Sequence, residues 1–326
     1  MDTIMFLCGR KQAIYNAYTA AQIADHPVVE TGELEEGRAY GEVETIFSTW
    51  GMPALSEEDI ARVFPNLKEI FYAAGTVQAF ARPYMARGVR IFSAWAANAV
   101  PVAEFTLAQI LLANKGFFQL DGIYRREGFK AARDYAERFY GNYHNRVGLL
   151  GAGMVGKKVI ELLKPFALDV LVFDPFLPDE TAEALGVEKT SLEAIFETCP
   201  IVSNHLANNA QTVGMLNYAL FSRMSPYGVF INTGRNSQVV VPDLIRAMRE
   251  EPGRTALLDV TDPEEPLPLD HELFTVPNIQ ITPHRAGSCR GEVYRMGDYM
   301  MEEYRRVHAG EAPRWEVTLE MLKTMA

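Results

Sequence analysis

The stretch 146–164, RVGLLGAGMVGKKVIELLK, constrains this chain more than any other. An apolar strand pattern runs into Gly151-x-Gly153-x-x-Gly156, and an amphipathic helix pattern follows, stopped by Pro165. Each glycine has a physical task. The first permits a tight turn, the second lets a diphosphate approach the backbone, and the third lets helix and strand pack closely. The diphosphate then rests on free N–H groups at the helix N-terminus, near Met154 and Val155. Glycines also cluster in ordinary turns, so the motif needs its context. That context is present: the next strand pattern, DVLVF, ends in Asp174, 18 residues beyond Gly156. A carboxylate there accepts both hydroxyls of an adenosine ribose and repels a 2′-phosphate, and Pro175, Phe176 and Leu177 bring no basic group. The segment reads as a site for NAD in preference to NADP.

Strand-like runs alternate with helix-like ones along the whole chain, which predicts an α/β fold with parallel sheets. Before the glycine loop, strands are expected at 4–7, 44–48, 69–73 and 89–93, and Ser56 ahead of Glu57, Glu58 and Asp59 reads as a helix N-cap with an acidic first turn. Residues 99–115 are apolar on nearly every face and read as a buried helix. A charged, aromatic stretch without clear periodicity spans 119–145. Further strands are expected at 146–150, 169–173, 201–204, 229–232, 256–259 and 279–282. The chain closes with a helix that places Val293, Met296, Met300, Tyr304 and Val307 on one face, with Gly310 as its stop. A length of 326 residues suits two domains. The expected arrangement is a doubly wound unit, 98–287, inserted into a unit made of 1–97 and 288–326.

Composition excludes several other classes. The hydrophobic fraction of 48% is enough for real cores, and 31 Lys+Arg against 42 Asp+Glu leave a net charge of −11. That balance argues against a nucleic-acid binder and against docking on an anionic membrane. The three cysteines, Cys8, Cys199 and Cys289, are scattered and form no C-x-x-C, so neither a disulfide framework nor a zinc site is expected, and a reducing cytoplasm is the default. The N-terminus lacks the pattern of a signal peptide, and no stretch reads as a run of about 18 apolar residues. No spacing of His or carboxylates suggests a metal.

The strands of the second unit each run into polar residues. Strand 201–204 leads to His205; 229–232 leads to Thr233, Gly234 and Arg235; 256–259 ends in Asp259 with Glu264 beyond; 279–282 leads to His284. In a doubly wound sheet the carboxyl ends of strands face the ligand. Hydride addition to a keto carbon leaves an alkoxide to be protonated, a task suited to His, and a neighbouring carboxylate favours its protonated form. Arg, with its planar fork, holds a carboxylate and polarises the carbonyl beside it. Arg235, Glu264 and His284 supply one of each.

These segments together resemble the D-isomer-specific 2-hydroxyacid dehydrogenases over most of the chain. NTGR (232–235) looks like the family's Asn-x-x-Arg, LLDVTDPEEPLPLDHELF (257–274) like its Asp-Val segment, ITPHRAG (281–287) like its Thr-Pro-His, and NAVPVAEFTL (98–107) like its Val-Ala-Glu helix. The resemblance implies a Rossmann-type domain inserted into a smaller flavodoxin-like α/β substrate domain. It implies that Arg235 binds substrate, His284 is the acid/base and Glu264 its partner. Asp259 and Thr233 would hold the nicotinamide carboxamide, with His205 in a structural or backbone role toward the cofactor. Gly75, Thr76 and Asn98 would hold the substrate carboxylate, with Trp50 bordering it. The implied reaction interconverts a 2-keto acid and a D-2-hydroxy acid. A homodimer is implied as well, with the buried helix and the 119–145 stretch as its interface.

The chain also departs from the family. Asn236 replaces the usual Gly after the Arg, a position that Asn fills at positive φ. Val239, Val240 and Val241 replace Val-Asp-Glu, leaving Pro242 to start the helix. Leu-Ala-Asn-Asn after His205 replaces a Pro-Leu-Thr pattern. PEEP offers two acids: the distance from Asp259 favours Glu264, and the position next to Pro266 favours Glu265. Formate-type members carry Gln where Glu264 stands, which counts against that chemistry; phosphite oxidation and a non-catalytic NAD sensor remain as alternatives. His26, His144, His271 and His308 read as ungrouped surface or capping residues. The loops at 8–11, 50–53, 72–77 and the 119–145 stretch are expected to shape the substrate pocket.

Overall fold

The computed structural model describes residues 2–7, 14–15, 21–261 and 263–323. The chain divides into two compact units, Met1–Ala99 with Ser288–Ala326, and Val100–Gly287. The 8–11 loop lies outside the described residues.

The first unit is built on five parallel strands: β1 (Thr3–Leu7), β2 (Val28–Thr31), β3 (Val43–Ser48), β4 (Glu69–Tyr72) and β5 (Arg90–Ser93). Their order is β2-β1-β3-β4-β5, the flavodoxin-like arrangement, whose switch point lies between β1 and β3. Alternation along the strands sorts residues onto two faces. Phe6, Phe47, Phe71 and Phe92 are register partners across β1, β3, β4 and β5 and stack with centroids 5.5, 5.2 and 4.6 Å apart. The closing helix Val293–His308 covers this face with Met296, Met300, Met301 and Tyr304, on the stripe its periodicity predicts. Met5, Ile46, Ile70 and Ile91 point the other way, onto a core with Ile60, Val63, Ala81 and Tyr84 from helices Glu57–Val63 and Ala81–Ala86. Ser56 is the N-cap of the first of these, accepting from the Asp59 N–H at 3.1 Å. Strand β2 escapes the sequence pattern because it is a half-exposed edge of four residues.

Two histidines that look unrelated in sequence meet in this unit. Nε2 of His26 lies 3.4 Å from the Tyr304 hydroxyl, and the His308 ring lies 4.2 Å from the Tyr304 ring. His308 Nε2 pairs with Glu69 at 2.9 Å; Glu69 also takes Arg90, which forks onto Glu316 at 2.9 and 2.8 Å. The chain of contacts ties the last helix and the 314–317 segment to the beginnings of β4 and β5. That end of the sheet is opposite the one where ligands bind in such folds.

The second unit holds seven parallel strands: β6 (Asn145–Leu150), β7 (Leu168–Phe173), β8 (Glu188–Lys189), β9 (Ile201–Asn204), β10 (Val229–Asn232), β11 (Thr255–Leu258) and β12 (Ile279–Ile281). The order β12-β11-β10-β9-β6-β7-β8 is that of a doubly wound Rossmann-type sheet, with its switch point between β6 and β9. Leu244, Ile245 and Met248 of helix Val241–Glu250 pack on one face, and Val159, Ile160 and Leu163 of helix Met154–Leu163 on the other. Pro242 stands at the start of the former helix, where its missing N–H costs nothing.

Helix Trp95–Ala113 starts in the first unit and ends in the second. It is the one helix among the described residues long and apolar enough to cross a membrane by composition. Ala97 is buried in the core of the first unit, and Ala103, Ile110 and Ala113 in that of the second. The next stretch, aperiodic by sequence, is a helix, Phe117–Ala136, broken at Gly128 with φ 83°. It shows no period because most of its length is exposed on every side.

Candidate active site

The glycine loop joins β6 to helix Met154–Leu163. Gly151 has φ +92°, and a Cβ on it would stand 2.7 Å from the His205 carbonyl oxygen. A Cβ on Gly156 would stand 2.1 Å from the Gly151 carbonyl oxygen, so the helix lies directly against the turn. A Cβ on Gly153 would meet nothing within 4 Å. Gly153 caps the helix without a side-chain acceptor, which leaves the first-turn N–H groups around Met154 and Val155 open to an anion. Asp174, just past β7, accepts the Ala152 N–H on one oxygen and the Phe176 N–H on the other, both at 2.8 Å. The acid is thereby fixed at the mouth of the loop, with lone pairs to spare for two ribose hydroxyls. Open space over the second glycine, free amides and a fixed acid fit a dinucleotide.

His205 follows β9 across the switch point. Its backbone N–H donates to Leu150 and its ring pairs with Ser203 at 3.0 Å. Burial pushes its pKa down to about 4, so the ring is neutral. It supports the loop through backbone packing. Thr233 directs its hydroxyl at Thr106, 3.0 Å away, inside the same unit.

A buried amide network holds the next loops. Asn204 donates to Asn232 at 3.1 Å and to Gln238 at 2.6 Å, and its oxygen accepts the Leu206 N–H. Gln238 donates to the carbonyls of Leu206 and Ala207, while Asn232 accepts the Gly234 N–H and donates to the Arg235 carbonyl. The exits of β9 and β10 are therefore tied together, and the Arg235 backbone with them. Gln238 is fully buried, and sequence reading missed it. Asn236 opens a 3-10 turn, Asn236–Gln238, and is not among the positive-φ residues, so the expected left-handed turn is not needed there. Arg235 is half-buried; its guanidinium donates to the Gly234 carbonyl at 2.8 Å and has no carboxylate partner among the described residues.

Asp259 has a task the sequence did not disclose. Its carboxylate, 1% exposed, accepts from the Thr282 hydroxyl and from the N–H groups of Arg285 and Ala286, both at 2.8 Å. Its carbonyl accepts the His284 N–H at 3.0 Å. The end of β11 thus clasps the 282–286 loop and forces His284 into place, with φ 51°. The His284 side chain stays 46% exposed, and its Nδ1 lies 2.9 Å from Oε1 of Glu265.

That pairing corrects the choice of Glu264. A turn closes from Thr261 to Glu264, with the Glu264 N–H on the Thr261 carbonyl and the Thr261 hydroxyl on the Glu264 carbonyl. It sends the Glu264 side chain toward His271, 3.6 Å away, and the next residue toward His284. Counting from Asp259 misleads because the turn decides the direction of each side chain; the position next to Pro266 was the better signal.

In the first unit, Trp50 follows β3 beside the switch point and is 48% exposed. Gly75 and Thr76 follow β4, and their N–H groups have no acceptor among the described residues. Asn98 accepts the Ser288 N–H at 2.9 Å, and its Nδ2 would lie 3.9 Å from a Cβ on Gly75.

Fold and loop together define a dinucleotide-binding protein of the doubly wound class, with a second, flavodoxin-like unit. Residues 107–286 match the family of D-isomer specific 2-hydroxyacid dehydrogenases in its NAD binding domain. YoaD of Bacillus subtilis, whose name places it among 2-hydroxyacid dehydrogenases, is 29% identical over 78% of this chain and 76% of its own length. A glyoxylate reductase of Korarchaeum cryptofilum is 26% identical over 82% of this chain and 81% of its own. A D-3-phosphoglycerate dehydrogenase of Methanocaldococcus jannaschii is 26% identical over 69% of this chain but only 42% of its own length, so this chain spans less than half of that relative. The fold is shared with a phosphoglycerate oxidoreductase from Rhizobium etli (TM-score 0.80, 24% identity, covering 98% of this chain and 99% of that one). The chain belongs to the D-isomer-specific 2-hydroxyacid dehydrogenases, an oxidoreductase family, and its cofactor is NAD.

Proposed function

We propose that the protein reduces a 2-keto acid to a D-2-hydroxy acid, and runs the reverse oxidation, with NAD in preference to NADP. The observation that carries this reading is the Glu265–His284 pair. A carboxylate on Nδ1 holds the ring and leaves Nε2 to exchange a proton with substrate oxygen. Bound NADH supplies the hydride for the carbonyl carbon. Arg235 of the second unit is the proposed cation for the substrate carboxylate and its neighbouring carbonyl; within the first unit, Gly75, Thr76 and Asn98 are proposed as carboxylate-binding residues, with Trp50 as a substrate-facing one. In reduction the substrate gains the hydride on carbon and the His284 proton on oxygen. Asp174 accepts the ribose hydroxyls, and Thr233 and Asp259 sit at the nicotinamide end, Asp259 chiefly through the loop it clasps.

NADH oxidation over a panel of 2-keto acids tests the proposal. Turnover by the native chain, lost in Arg235→Ala while NADH still binds, is the expected result. Binding of NADH without turnover of any keto acid refutes it in favour of a sensor. Turnover of formate or phosphite refutes it in favour of oxidation of those anions; the Glu265 carboxylate on His284 speaks for proton donation, which formate oxidation does not use. The protein is further proposed to act as a homodimer in the cytoplasm. Phe117, Tyr124 and Phe129 on helix Phe117–Ala136 are 55, 53 and 70% exposed, and a second copy covers such a surface. A monomeric mass in solution would overturn the dimer.

A further inference from the structure

Ser93 ends β5, is fully buried, and directs its hydroxyl at two carbonyl oxygens, those of Ala74 at 2.9 Å and Gly75 at 2.5 Å. Thr49, also buried, donates to the carbonyl just before them, that of Ala73, at 3.0 Å. Three successive carbonyls after β4 thus face two hydroxyls, the single Ser93 O–H being shared between the last two. In a trans peptide the C=O and the following N–H point in opposite directions. A carbonyl of Ala74 held on Ser93 therefore turns the Gly75 N–H outward, and a carbonyl of Gly75 held there turns the Thr76 N–H outward. These are the two amides without an acceptor among the described residues.

We infer that Ser93 is a positioning residue for the substrate carboxylate: it aims the Gly75 and Thr76 amides without touching substrate. The inference rests on the proposed keto-acid reading of this loop. Without the hydroxyl the carbonyls of Ala74 and Gly75 lose this donor, and a flipped peptide would present an oxygen to the incoming anion. Ser93 matters through backbone direction, which explains why no motif marks it.

The test uses the full chain saturated with NADH and oxamate, an unreactive 2-keto acid mimic, measured by calorimetry beside keto-acid kinetics. Ser93→Ala is expected to weaken oxamate and raise the keto-acid KM by about tenfold. Its kcat should stay within about twofold, and its NADH affinity should be unchanged. Ser93→Thr, which keeps the hydroxyl, should recover most of the loss. If Ser93→Ala no longer melts cooperatively, Ser93→Cys, with the same shape and a weak donor, is expected to show the same KM effect. Native-like oxamate binding and KM in Ser93→Ala, with Arg235→Ala impaired, would overturn the role of Ser93 and leave the keto-acid reading standing. A native chain that neither binds oxamate nor turns over any keto acid would overturn both.

Discussion

The two parallel sheets solve one problem in opposite ways. Each must hold the loops at the carboxyl ends of its strands. In the second unit, side-chain amides and a carboxylate do the holding: Asn204, Asn232 and Gln238 fix the loops after β9 and β10, and Asp259 fixes the loop of His284. What they present is side-chain chemistry, an arginine and a histidine. In the first unit, hydroxyls do the holding: Ser48 donates to Leu7, Thr49 to Ala73, and Ser93 to Ala74 and Gly75. What they present is backbone N–H. The difference teaches where a chemical role leaves a trace in sequence. A role played by a side chain restricts that residue; a role played by an amide restricts only whatever turns the peptide.

The comparison breaks first at His284. His284→Gln should lower kcat by about 10³-fold, within the usual range for loss of a general acid, while NADH binding persists; near-native turnover would place the chemistry elsewhere. Next comes the pair of acids. Glu265→Gln should cost about 10²-fold in kcat/KM, the lower end of what acid–base catalysis contributes, and Glu264→Gln, whose side chain is 59% exposed, should cost almost nothing. The reverse result would restore Glu264. Gln238→Leu removes the donor for two carbonyls and the acceptor for Asn204, and a urea melt should show a loss of about 2–3 kcal/mol, the cost of buried groups left unpaired.

His205 gives a pH signature for the same unit. Its folded pKa is lowered to about 4 by burial, against an ordinary value near 6.5. Between those values the unfolded chain takes up a proton that the folded chain refuses. Stability present above pH 6.5 is therefore lost as pH falls toward 4, by about 2 kcal/mol at pH 5 from this group alone. Melts at pH 7 and pH 5 should differ less in His205→Gln by roughly that amount, and an equal pH loss in both proteins would refute the assignment. Last comes Asp174→Ala, which should weaken NADH about tenfold, typical for one lost charge-assisted contact, and narrow the preference over NADPH; unchanged kinetics with both cofactors would remove Asp174 from the ribose.

By itself the sequence determined the parallel α/β plan of the second unit, and strands 201–204 and 229–232 fall where the apolar runs stop. The glycine loop, its acid, Arg235 and His284 stand out in the sequence as candidates because each proposed role needs one residue type at one spacing. The buried face of the closing helix was legible for the same reason, through its period. Tertiary structure alone decided the rest. It chose Glu265 over Glu264, because a turn sets side-chain direction and counting does not. It gave Asp259 to the 282–286 loop and set Gln238 between two strand exits, contacts that join residues far apart in the chain. It brought His26 and His308 together on Tyr304 across the fold of the first unit. And it set the Ser93 and Thr49 hydroxyls against the carbonyls of 73–75, contacts between strand ends that no motif announces.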